Sequence, residues 1–173
     1  GKDSDDIKQV TIRTHSACIR IIDKQGPLNN PADRDHCIQY MVAIPLIFGR
    51  LTAKDYEDEI AADPRIDQLR SKIVCKENPE FTKDYHDPNK RSIANAVQIE
   101  FLDGSMTEEV LVEYPIGHRL RREEGFPALI DKYKQNLGRI FTKDRREEIE
   151  ESTLNFDYLT NMPIDKFMEL FVK

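Results

Sequence analysis

The sequence predicts an α+β domain: a small, mainly antiparallel sheet of about four strands, covered by helices in two layers. Three observations predict it. The segment IKQVTIRTH alternates in period two, a second pair of alternating segments flanks Asp103-Gly104, and other apolar residues recur at helical spacing behind capping residues. The elements run strand, helices, three strands, helices, with no internal repeat. At 173 residues the chain is long enough for one domain with a real core.

In IKQVTIRTH, Val10 and Ile12 share one face and Thr11 and Arg13 the other, as in a half-buried strand. ACIRIID either extends that strand or turns away from it. Asn30 then caps a helix with Pro31 at its first position and Asp33 where a capping-box acid belongs. Ile38, Met41, Val42 and Leu46 continue it at helical spacing, with a kink or break expected at Pro45. Thr52 and Asp55 form the next capping box, and Asp63-Pro64 starts a short helix through Arg70. KIVCKE reads as a strand and NPEFTKDYHDPNKRS as a long polar connection.

Val97, Ile99 and Phe101, then Val110, Val112 and Tyr114, flank Asp103-Gly104 as a β-hairpin. GFPALIDKYKQNLGRIF places Leu129, Ile130, Tyr133, Leu137 and Ile140 on one helical face. Two shorter helices follow, one capped by Thr142 and one begun by Pro163.

Composition narrows the function. A net charge of -6 opposes binding to a phosphate backbone, so nucleic acid is not an expected partner. The apolar run from Met41 to Phe48 is far shorter than the ~20 residues of a membrane span, so no membrane partner is expected. The acidic start GKDSDDIK has no initiator Met. Residues 1–6 read as a disordered tail and the chain as a piece of a longer protein. Cys18, Cys37 and Cys75, odd in number and widely spaced, read as reduced thiols. No His or Cys spacing suggests a metal site, and the scattered glycines form no phosphate loop.

Two clusters could carry chemistry. Arg34, His36 and Tyr40 lie near a helix start, with His36 and Tyr40 four residues apart on one face. Helix N–H groups, a guanidinium, an imidazole and a phenol could there hold a carboxylate or exchange protons. Equally, Arg34 could be solvated while His36 and Tyr40 pack on the sheet with their polar ends satisfied. The loop YPIGHRLRREEG gathers His118, Arg119, Arg121 and Arg122, to meet an acidic ligand or simply to be solvated beside Glu123 and Glu124.

The stretches THSACIRIIDKQGPLNNPADRDHCIQYMVAIPLIFGR, DYHDPNKRSIANAVQIEFLDG and VEYPIGHRLRREEG together resemble the MmgE/PrpD family from about Ile7 to the chain's end. The word NNPADRDHCIQYM is specific to its dehydratase branch. The broader family tends to show an Ala-Gln-Phe-Ser-like segment in place of DHCIQY. The resemblance implies a large helical domain followed by a smaller α/β lid domain, with the active site in the cleft between them. Residues 7–173 would be the lid and the N-terminal helical domain would lie outside this chain.

The implied activity is a metal- and cofactor-independent hydro-lyase of propionate breakdown, removing water from the tricarboxylate 2-methylcitrate to give 2-methyl-cis-aconitate. The isolated lid would be inactive. Decarboxylation of cis-aconitate, or an independent ligand-binding or interaction module, is the alternative. On the resemblance, Tyr40 and His36 are the expected catalytic residues, and Arg34, His15 and His118 the expected substrate contacts. Family members often show Gly-x-Pro and an Asn-Pro pair near Gly117, from which GHRLRRE departs. A homodimer is implied for the full-length enzyme. The implied location is cytoplasmic for a bacterial source and mitochondrial for a fungal one.

Overall fold

The computed structural model describes residues 2–172, which form two compact units dividing after Pro115. In the first, β1 (Ile7–Thr14) leads into α1 (Ser16–Ile22), α2 (Pro31–Asp35) and α3 (Ile38–Phe48). A 3-10 turn (Ala53–Tyr56), α4 (Asp58–Ala61) and α5 (Pro64–Arg70) precede β2 (Ile73–Glu77). After α6 (Pro79–His86), β3 (Asn95–Phe101) and β4 (Val110–Val112) complete a four-stranded sheet of order β2-β1-β3-β4.

The predicted fold class holds, with a mixed sheet. β1 pairs antiparallel with β3, Ile12 facing Val97, and β3 pairs antiparallel with β4, Val97 facing Val110. β2 instead runs parallel to β1, with Val10 facing Ile73. The crossover through α1 to α5 permits this, because a parallel pair needs a long connection. Alternation along β1 buries Val10, Ile12 and Thr14 against the helices, where Cys18, Ile38, Ile44, Ile66 and Leu69 complete the core.

One open alternative is decided and three local expectations change. ACIRIID turns away from the strand as α1, because His15 caps it by accepting from the Cys18 N–H. The helix begun at Asn30 breaks at His36 and Cys37, not at Pro45, which α3 accommodates. Cys37 is extended and fully buried, its Sγ 3.6 Å from the Lys24 carbonyl, so tertiary burial and not a local breaker ends α2. The polar connection after β2 holds α6, capped by Asn78 with Pro79 at its first turn. A short helix (Phe156–Asn161) also precedes the one begun by Pro163.

The second unit contains a 3-10 turn (Arg119–Arg121), α7 (Arg122–Leu137), α8 (Lys143–Leu154), α9 (Phe156–Asn161) and α10 (Ile164–Glu169). Its core is small: Leu137, Ile149 and Leu170, with Tyr133, Phe141 and Met162 packed around them. On the expected face of α7, Leu137 is buried but Leu129 remains 53% exposed.

Candidate functional site

The break at His36–Cys37 separates the residues that the sequence grouped. Asn30 accepts from the Asp33 N–H at 2.9 Å and starts α2, which carries Arg34. Arg34 is only 6% exposed; its Nη1 donates to the Tyr56 carbonyl at 2.7 Å and sits 2.7 Å from the Asp58 carboxylate. Arg34 is therefore an internal tie between α2 and the segment after the Thr52 capping box, and not a solvated charge.

Tyr40, on the buried face of α3, meets the same segment. Its ring stacks on Tyr56 with centroids 5.9 Å apart, and its hydroxyl donates to the Asp55 carbonyl at 2.5 Å. Burial pushes the phenol up to about 12, against the pull of Arg34, so it holds its proton throughout neutral pH. Asp55 is fully buried. Its Oδ2 accepts from the Thr52 N–H and hydroxyl, and its Oδ1 lies 2.9 Å from Arg50 as an ion pair without hydrogen-bond alignment.

Arg34 and Tyr40 thus come together, joined by Asp55 and Tyr56, residues that sequence reasoning did not assign to a site. The Thr52/Asp55 capping box was the available signal. The cluster offers a protonated phenol beside a guanidinium, closed to solvent in this conformation.

The other expected residues lie elsewhere. His36 is exposed at the end of α2, its Nδ1 2.5 Å from Asp35. His15 is buried at the α1 cap and stacks on Tyr85 at 4.2 Å. Its Nδ1 accepts a backbone N–H, which leaves the ring proton on Nε2. Burial, then the nearby His86, lowers its pKa. His118 belongs to the second unit, where it caps the 3-10 turn by accepting from the Leu120 N–H. In the same basic loop Arg121 pairs with Glu124 at 2.6 Å.

All three cysteines are free thiols. Cys37 Sγ lies 3.3 Å from the Gln39 side-chain oxygen Oε1, and the Gln39 Nε2 reaches Asp23 and the Cys75 sulfur. Among the described residues, no group of three or more His, Cys, Asp or Glu could hold a metal ion. No helix among them is long and apolar enough to cross a membrane.

The sequence profile of the MmgE/PrpD C-terminal domain matches residues 1–157. The chain belongs to the MmgE/PrpD family. It is 63% identical over 172 residues to the 2-methylcitrate dehydratase of Escherichia coli K12, covering 99% of this chain but 36% of that protein. Identity is 57% to the 2-methylcitrate dehydratase of Cupriavidus necator, over 99% of this chain and 35% of that protein. It is 56% to the mitochondrial 2-methylcitrate dehydratase of Yarrowia lipolytica, over the whole chain and 33% of that protein. The chain therefore spans about a third of the length of these relatives, as the C-terminal domain of the family.

Proposed function

We propose that the complete polypeptide dehydrates 2-methylcitrate to 2-methyl-cis-aconitate, and that residues 7–173 supply its lid. The observation that carries this reading is 63% identity to a 2-methylcitrate dehydratase, sustained over 99% of the chain. An N-terminal helical domain provides the opposite wall of the cleft, so the chain alone is inactive. A bacterial source places the enzyme in the cytoplasm, a fungal one in the mitochondrion.

The reaction sets what the lid must provide. The substrate carries about three negative charges at neutral pH, which need cationic and hydrogen-bonding partners on leaving water. Removing a proton beside a carboxylate builds further negative charge, and the departing hydroxide needs a general acid. Tyr40 is that acid in our reading, supported by a phenol that stays protonated at neutral pH. Its bond to the Asp55 carbonyl is the resting partner that substrate oxygen replaces. Arg34 and His118 contact substrate carboxylates, and exposed His36 exchanges protons at the cleft. His15, held at the α1 cap and facing an apolar groove, is left out of this reading.

The test uses the complete polypeptide. Ultraviolet absorbance of the conjugated product follows water loss from 2-methylcitrate, with carbon dioxide release from cis-aconitate measured in parallel. Water loss supports the proposal; carbon dioxide release alone replaces it with the decarboxylase.

A further inference from the structure

The helical face of the sheet in the first unit is covered over β2 and β1 and only partly over β3, whose Val97, Ile99 and Phe101 pack at the margin of the core. Val10 and Ile12 of β1 and Ile73 of β2 lie in the core beneath the helices. The β3–β4 register places Val110 opposite Val97, and Val112 opposite Asn95, so their side chains project to that same side. Yet Val110 is 64% exposed and Val112 42% exposed. Beside this strip, between β3 and the flanks of α1 and α3, runs a groove of about 420 Å³, walled by Val97, Ile21, Met41 and Val42 among others.

Two features identify the occupant's chemistry. Among the described residues, no Lys, Arg, Asp or Glu lines the groove, so it does not suit a tricarboxylate. His15 also lines it, and with Nδ1 committed to the Cys18 N–H, its Nε2–H has no partner among the described residues. The wall is thus largely apolar, with the His15 Nε2–H as a donor and the buried, unpartnered Asn95 Oδ1 as an acceptor. A sheet face of this kind is normally closed by another helix of the same layer, and an uncovered edge of valines invites aggregation. A second copy fits poorly, because an isologous contact would set groove against groove.

We infer that the β3–β4 edge of this face seats one amphipathic helix of the same polypeptide, from the part preceding this chain in its relatives. This rests on the reading of the chain as a C-terminal third: the relatives are matched over 99% of this chain but only 35–36% of their own length. The helix lays apolar side chains at i, i+3 and i+7 along Val97, Val110 and Met41. A carbonyl or polar side chain on it accepts from His15 Nε2–H.

The test places a photo-cross-linker on the strip. In the complete polypeptide, Val110→Cys is labelled with a benzophenone maleimide, irradiated, and mapped by peptide mass spectrometry. Substitution at so exposed a residue spares folding, and the native thiols Cys18, Cys37 and Cys75 are separated as distinct peptides. The expected result is an intramolecular cross-link to a peptide preceding Gly1, unchanged by tenfold dilution. A cross-link to a second copy or to residues 116–173, or none at all, overturns the proposal. Dehydration of 2-methylcitrate by the unlabelled polypeptide separates the two ideas. Turnover without the cross-link sinks the seat alone, and the cross-link without turnover sinks the enzyme reading alone.

Discussion

The hydroxyl of Tyr40 donates to the carbonyl oxygen of Asp55 at 2.5 Å, across the gap between α3 and the turn after it. Tyr40→Phe therefore separates chemistry from packing. It leaves a buried carbonyl without its donor, a stability loss of about 1–3 kcal/mol. If Tyr40 is the general acid, the complete enzyme also loses roughly 10²–10⁴-fold in turnover. We expect both effects, read by urea denaturation and by kcat for 2-methylcitrate. Lowered stability with full kcat would assign Tyr40 to the core alone.

Asp55 holds the turn that receives both Tyr40 and Arg34. Asp55→Ala removes the acceptor for the Thr52 N–H and hydroxyl and deprives Arg50 of its partner. Arg50 is half exposed, which tempers the charge penalty. The expected loss is about 2–3 kcal/mol, more than a lost cap alone. Asp55→Asn keeps an acceptor for Thr52 and should cost about half as much. Urea midpoints for the two variants that match wild type would show that the turn is held by its apolar contacts.

The strands and the Thr52/Asp55 box were legible because each is decided by neighbours in sequence: alternation, a turn dipeptide, an acceptor three residues on. The break at His36–Cys37 was not. No glycine or proline marks it, and its cause is the burial of Cys37 beneath residues distant in sequence. That break undid the grouping of His36 with Tyr40, which assumed one continuous helix. The α6 signal, Asn78-Pro79, was present but hidden by the polar composition that follows it. Nor did composition shift at Pro115, where the units divide.

The thiols give a prediction independent of any enzymatic role. Burial, then the negative field of Asp23, pushes the Cys75 thiol up to about 12. Its thiolate fraction at neutral pH is then roughly a thousandfold below that of an ordinary cysteine, and only thiolate alkylates. Cys18, also raised by burial, behaves in the same sense. Under native conditions iodoacetamide should leave both peptides unmodified over hours, and should label them promptly in urea. Rapid native labelling of Cys75 would mean that the first unit opens locally around β2.

His15 makes stability depend on pH. Burial, then His86, lowers its pKa below the ordinary 6.5, so the unfolded chain binds more protons than the folded one in the window just under that value. Stability therefore rises with pH through the window and is lost as pH falls below about 6.5. His15→Asn removes the titration while keeping an acceptor for the Cys18 N–H. Losing the stack on Tyr85 lowers its stability by a similar amount at every pH. Urea midpoints measured from about pH 5 to pH 7.5 should fall more steeply on the acid side for wild type than for the variant. The other histidines and the acid residues are common to both proteins, so the difference between the two curves isolates His15. Parallel curves would place the His15 ring in contact with water and its proton equilibrium outside the folding reaction.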